Sequence, residues 1–160
     1  MEQATLNQKI KNFKFISTDS TLTSFESLLN KITILFFYPK DNTPGCTQEN
    51  LDFKKFYNEL NPYEINLIGI SRDSLLSHQR FSEKHQLPFP LIADENEELC
   101  RYFNVLKTKK LYGRERLSIE RSTFVINESG ILVKEWRKIK VPLHAEFVMS
   151  YIKSNYEQLG

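Results

Sequence analysis

A chain of 160 residues is long enough for one domain with a single core, and 40% hydrophobic with 26% charged residues is the make-up of an ordinary soluble globular protein. A formal net charge of +2 is too small to point to nucleic acid or an anionic membrane as a partner. No apolar core of a secretory signal follows Met1–Thr5, no apolar run approaches the ~20 residues of a spanning helix, and two cysteines do not make a disulfide scaffold. The expectation is therefore one domain over residues 1–160 in a reducing cytoplasm, where a positioned cysteine serves chemistry rather than architecture.

Along the chain, Phe13 to Thr18 alternates apolar and polar residues as an edge strand does, and Ser24 to Asn30 reads as a short helical turn. Ile32 to Phe37 is a buried strand by its β-branched and aromatic content. Thr43 and Pro44 supply a helix start, and Leu51, Phe53, Phe56, Tyr57 and Leu60 continue as an apolar stripe at helical spacing. Ile65 to Ile70 is a second buried strand. Asp73 is the expected N-cap of a helix over Ser74 to His85, which Pro88 and Pro90 end. Pro90 to Ala93 is a short strand, and Asp94 caps a helix around Glu95 to Phe103. A loop holding Gly113 follows, and the basic run Lys107 to Lys110 reads as a solvated loop face, with a binding patch as the alternative. Ser118 to Asn127 and Ile131 to Lys140 flank a turn at Glu128-Ser129-Gly130 and predict a hairpin. An amphipathic helix, Leu143 to Gln158, closes the chain. Strands alternating with helices, then a hairpin, predict an α/β thioredoxin-like fold: a central mixed sheet flanked by helices on both faces.

Cys46 stands out against this frame. It lies in Tyr38-Pro39-Lys40-Asp41-Asn42-Thr43-Pro44-Gly45-Cys46-Thr47-Gln48-Glu49, between a buried strand and the first turn of a helix. A cysteine there meets unpaired backbone N–H groups and the positive end of the helix dipole, and both favour the thiolate, which is the nucleophile. Groups that do chemistry on such sheets gather beyond the carboxyl ends of the parallel strands, which is where this loop falls.

The spacing Pro39-x-x-x-Thr43-x-x-Cys46 resembles the peroxiredoxin active-site signature, and YPKDNTPGCTQE resembles its bacterioferritin comigratory protein (PrxQ) branch. Gly69 to Ser74, Phe89 to Asp94, Glu120 to Ile126 and Trp136 to Val141 match in order, so the resemblance spans almost the whole chain. It implies a thiol-dependent peroxidase that reduces hydrogen peroxide and organic hydroperoxides through a sulfenic acid at Cys46, with no cofactor. Thr43 would accept a hydrogen bond from the peroxide. The N–H groups of Gly45 and Cys46 would support the sulfur and the substrate oxygen. Pro39 and Pro44 would stiffen the loop. Arg121 matches the family's cation, and Glu49 either orients that arginine or is simply a first-turn carboxylate favoured by the dipole.

The chain departs from the family in one respect. The usual second thiol lies five residues after the first, here Leu51, or in the following helix, here aligned with Ser82. Cys100 is the only other thiol, and its place beside Leu99 and Phe103 reads first as a buried small hydrophobe, with a resolving role or intermolecular pairing as alternatives. The preferred reading is a one-cysteine enzyme restored by thioredoxin or a small-molecule thiol, monomeric rather than obligately oligomeric. His78, His85 and His144 have no cysteine or acidic residue at ligand spacing, so no metal is expected. Two other functions use the same thiolate. One is a redox sensor or binding module that signals through Cys46 oxidation. The other is a thiol-dependent hydrolase, for which no histidine has a context placing it beside Cys46.

Overall fold

The computed structural model describes residues 2–159. Six strands form one mixed sheet in the order β1 (Ile16–Ser17), β4 (Leu91–Ala93), β3 (Asn66–Ser71), β2 (Thr33–Phe37), β7 (Ser122–Ile126) and β8 (Leu132–Trp136). β2, β3 and β4 run parallel, while β1, β7 and β8 pair antiparallel. The helices are α1 (Pro44–Leu60), α2 (Leu75–His85), α3 (Glu98–Tyr102) and α4 (His144–Leu159). This is the thioredoxin-like layout expected from the sequence.

Because side chains alternate along a strand, the sheet separates two apolar cores. Ile34, Phe36 and Tyr38 point into a core shared with Cys46 and Phe53 of α1, Phe81 of α2, and Val148 and Ile152 of α4. Leu35 and Phe37 point the other way, into a core built with the N-terminal segment (Phe13, Leu22, Phe25) and with Leu99, Cys100 and Phe103 of the α3 region. α1 docks through stacking of Phe53 on Phe36, with ring centroids 4.5 Å apart. Gly69 leaves room for that ring, since a Cβ there would stand 2.8 Å from both Phe36 Cζ and Leu91 Cδ2.

Three local expectations change. The predicted N-terminal edge strand shrinks to Ile16–Ser17. Helix α2 is capped by Ser74, whose hydroxyl accepts from the Ser77 N–H, and not by Asp73. Asp73 is drawn away because its carboxylate accepts from Ser71 Oγ and from the Asp41 N–H. Residues 106–119 are no loop: β5 (Leu106–Leu111) and β6 (Arg114–Ile119) form a separate two-stranded ribbon. The predicted strand over Ser118 to Asn127 is accordingly broken at Glu120 and Arg121, where the chain passes from ribbon to sheet. The Asn127–Gly130 turn is as expected, with Asn127 Oδ1 accepting from the N–H groups of Ser129 and Ile131 and Gly130 at φ +82°.

Candidate active site

The topology explains why residues 75 positions apart meet. Strand β2 ends at Phe37, which pairs with Ser122 at the start of β7. The loop leaving β2 therefore runs beside the residue that enters β7, which is Arg121. Within the loop Asn42 takes a left-handed φ of +64°. The Thr43 carbonyl then accepts from Thr47 N–H (2.9 Å), so α1 begins at Pro44, a residue with no N–H to leave unpaired. This leaves Cys46 in the first turn, as expected, and 1% exposed.

Arg121 donates toward Cys46 Sγ from Nη1 (3.5 Å) and Nη2 (3.6 Å). The same Nη1 donates to Glu49 Oε1 at 2.7 Å. Burial works against the guanidinium charge, but Glu49 and then Cys46 outweigh it, and the Arg121 pKa is raised. Glu49 is buried three residues past Cys46, on the same face of α1. Burial pushes its carboxyl up to about 7 against the pull of Arg121, and its Oε2 has no hydrogen-bond partner among the described residues. Of the two sequence readings of Glu49, the contact made is the one with the arginine. A Cβ on Gly45 would stand 3.4 Å from Arg121 Nη2, so the guanidinium lies close against this part of the loop.

Thr43 is half-buried and donates its hydroxyl hydrogen to the Lys40 carbonyl (2.9 Å). With that hydrogen committed, the oxygen is left as an acceptor. Pro39 is half-buried at the start of the loop. Arg121, Glu49, Gly45 and Cys46 are thus brought together, with Thr43 and Pro39 on the loop that carries them.

Cys100 lies elsewhere. It is fully buried in the core on the other face of the sheet from Cys46. Its N–H donates to Asp94 Oδ2 (2.8 Å), and the Leu99 N–H donates to Asp94 Oδ1 (3.1 Å), so Asp94 still supplies the cap's acceptors although the helix starts at Glu98, later than expected, with Glu97 at the N-cap position. Burial first and the Asp94 carboxylate second push the Cys100 thiol up.

Two polar groups escaped the sequence reading. Asp41, Asp73 and His78 converge at the carboxyl ends of β2 and β3, although nothing in their spacing shows it. Asp41 Oδ1 accepts from the Tyr38 hydroxyl (2.6 Å), and Oδ2 accepts from Ser77 Oγ (2.9 Å) and faces His78 Nδ1 (2.8 Å). His78 Nε2 faces the Ile92 carbonyl (2.9 Å). Burial opposes the Asp41 charge, but His78, Tyr38 and Ser77 hold its pKa low. The network fastens the Cys46 loop to α2. The second group is His144, which bonds Thr123 Oγ1 through Nε2 (2.8 Å). Burial and then the Arg121 charge push it down to about 4, so it stands neutral in the field of the arginine, closer to the site than its sequence context implied. Among the described residues, the polar groups in hydrogen-bond reach of Cys46 Sγ are the Arg121 nitrogens, and none is a histidine of the kind a hydrolase needs.

Fold and site define a class of protein: a thiol redox enzyme on a thioredoxin-like sheet, with a guanidinium against the sulfur instead of a second cysteine. Comparison with known proteins narrows this. The AhpC/TSA family model matches residues 6–135. The chain is 46% identical over 125 residues to Peroxiredoxin Bcp of Xanthomonas campestris, covering 78% of each chain. It is 39% identical over 153 residues to Peroxiredoxin Bcp of Bacillus subtilis, covering 96% of this chain and 98% of that one. A cysteine-to-serine mutant of Xylella fastidiosa PrxQ superposes with a TM-score of 0.90 at 34% identity, covering 98% of this chain and 99% of that chain. Xanthomonas campestris bacterioferritin comigratory protein, studied for its alkyl peroxide reduction activity, superposes with a TM-score of 0.85 at 40% identity over 89% of this chain and 91% of its own. The chain belongs to the AhpC/TSA family and, within it, to the Bcp (PrxQ) peroxiredoxins, which are thiol-dependent peroxidases. No described helix is long and apolar enough to cross a membrane.

Proposed function

We propose that Cys46 is the peroxidatic nucleophile of a one-cysteine enzyme that reduces hydrogen peroxide and small organic hydroperoxides and is restored by an external thiol. The Cys46 thiolate attacks the nearer peroxide oxygen. An S–O bond forms, the O–O bond breaks, and the departing oxygen takes a proton and leaves as water or an alcohol. The sulfur, oxidised by two electrons, becomes a sulfenic acid. A reductant thiol displaces its oxygen as water and forms a mixed disulfide, and a second reductant thiol breaks that disulfide and returns Cys46 to the thiolate. Arg121 stabilises the thiolate and the charge growing on the peroxide, and Glu49 holds the arginine in place. Thr43 accepts the peroxide hydrogen bond, and the N–H groups of Gly45 and Cys46 support the sulfur and the substrate oxygen. Pro39 keeps the loop stiff. The enzyme acts as a single domain and a monomer in the cytoplasm, a setting supported by its two free cysteines.

One observation carries the one-cysteine reading: Cys46 touches a guanidinium, while Cys100 is sealed in the opposite core beside a carboxylate. Mass spectrometry after one equivalent of peroxide tests it. The wild type and Cys100→Ser are expected to gain one oxygen at Cys46 and form no intramolecular disulfide, and both should sustain many turnovers with dithiothreitol, within twofold of each other. A Cys46–Cys100 disulfide in the wild type together with collapsed turnover in Cys100→Ser would assign resolution to Cys100. Oxidation that stops after one equivalent with thiol in excess would favour a sensor.

A further inference from the structure

The β5–β6 ribbon is unexplained by the peroxidase site. Its register pairs Lys107 with Ser118, Lys109 with Arg116 and Leu111 with Arg114, and these pairs alternate with Leu106–Ile119, Thr108–Leu117 and Lys110–Glu115. Directly opposed residues share a face and successive pairs change faces. One face therefore begins with Leu106 and Ile119, which join the protein core, and continues with Lys110 matched by Glu115. The other carries Lys107, Lys109, Arg114 and Arg116 with no carboxylate, and all four cations are exposed.

Lys109 directly opposite Arg116 destabilises the ribbon, since like charges in that position repel. A local rule broken with no compensating contact marks a surface used for something else. The ribbon holds five cations and one carboxylate, a net +4 in a chain of net +2, so the remainder of the molecule is net −2. At its tip Leu111 and Tyr112 are 56% and 95% exposed. Its root adjoins the chemistry: two residues after Ile119 comes Arg121, which touches Cys46. Arg72 ties the ribbon down, donating to the Leu117 carbonyl (2.9 Å) and pairing with Glu97.

We propose that the basic face of this ribbon is a docking arm for a protein reductant whose attacking thiol is surrounded by acidic residues. This rests on the reading that an external thiol restores Cys46. Whatever delivers that thiol must approach Cys46 beside Arg121, and the arm's root lies two residues from Arg121. Four exposed cations with no carboxylate partner among the described residues steer an acidic partner, and the exposed tyrosine and leucine at the tip give it an apolar seat of the kind protein interfaces use.

Peroxide turnover by full-length wild type, Lys109→Glu and the double variant K109E/R116E, measured with thioredoxin (plus its reductase and NADPH) and separately with dithiothreitol, tests the arm. With thioredoxin, kcat/KM for the reductant should fall about tenfold in the double variant and less in the single one, and the wild type's sensitivity to salt should be lost. With dithiothreitol, all three should agree within twofold. Lys109→Glu alone creates an opposite-charge pair with Arg116, so it should melt no lower than wild type while using thioredoxin less well; this separates docking from folding. Equal thioredoxin kinetics in all three proteins would overturn the proposal. So would equal losses with both reductants, or a wild type turned over by dithiothreitol but not by thioredoxin. Loss of self-association, or of binding to phosphatidylserine vesicles or duplex DNA, with thioredoxin kinetics unchanged would give the face to that other occupant. Failure of the one-cysteine reading would appear separately, as lost dithiothreitol turnover in Cys100→Ser with the ribbon effect intact.

Discussion

Two cysteines lie on opposite faces of one sheet and meet opposite charges. Cys46 sits in the first turn of α1 with both terminal nitrogens of Arg121 within 3.6 Å of its sulfur. Cys100 sits in the first turns of α3, also at a helix start, yet its nearest charge is the Asp94 carboxylate that caps that helix. A helix start is thus not enough to activate a thiol. The short helix α3 spends its N-terminal N–H groups on Asp94, and the carboxylate cancels what the dipole would offer. Helix α1 is opened by a threonine and a proline, neither of which brings a negative charge, and the cation arrives from the neighbouring strand.

Removing that cation is the strongest way to break the contrast. Arg121→Met keeps much of the side chain's bulk and deletes its charge and donors. The rate of Cys46 oxidation by peroxide, followed by stopped flow, should fall about 10²–10³-fold, the usual cost of losing a donor aimed at developing negative charge. Arg121→Lys should recover only part, because an ammonium cannot reach Sγ and Glu49 Oε1 with the same fork. A rate within threefold of wild type in Arg121→Met would mean that the helix terminus alone activates Cys46.

Glu49 sharpens the comparison through pH. Unfolded, it titrates near 4.5; folded, burial holds it up at about 7 although Arg121 pulls the other way. Between pH 4.5 and 7 the native state therefore binds the extra proton, and by linkage this group's contribution to stability falls as pH rises through that window. Below 4.5 both states are protonated, and above 7 neither is, so the contribution is level outside it. Glu49→Gln removes the titration. The stability difference between variant and wild type, from urea unfolding at pH 4.5 to 8, should shift in the variant's favour by up to about 3 kcal/mol across the window. A difference that stays flat would sink the raised Glu49 titration beside the arginine.

Much of this site was legible from residue types in order. The apolar run Ile32 to Phe37, the loop with Thr43 and Pro44, and the apolar stripe of α1 located Cys46, and the family match located Arg121. What escaped reading is what long-range topology creates. Asp41, Asp73 and His78 meet only because β2 and β3 lie side by side and end together, and Thr123 meets His144 only because α4 packs over β7. The ribbon was hidden by its own chemistry. LKTKKL and RERLSI lack the apolar alternation that marks a strand, and its turn uses Tyr112 and Gly113 at φ +51° and +76° where Asn-Gly would be the usual signal. Asp73 suits the N-cap role by residue type, but a carboxylate already holding Ser71 and the Asp41 N–H is not free to turn to α2.

The smallest expected effect asks what keeps Cys100 inert. Burial is the larger cause and Asp94 the second. Asp94→Asn retains one acceptor oxygen and loses the other, so one of the N–H groups of Leu99 and Cys100 goes unmet, at a cost of about 1 kcal/mol in stability. It also removes the negative charge beside the sulfur. If burial dominates, the rate at which N-ethylmaleimide modifies Cys100 in the native protein at neutral pH should rise by less than about tenfold, and thiol-supported turnover should be unchanged. If instead Cys100 in the variant became as reactive as Cys46, the carboxylate and not the core would be what silences it. The two cysteines would then differ only in the sign of the charge beside them, a difference that one substitution in α3's cap removes.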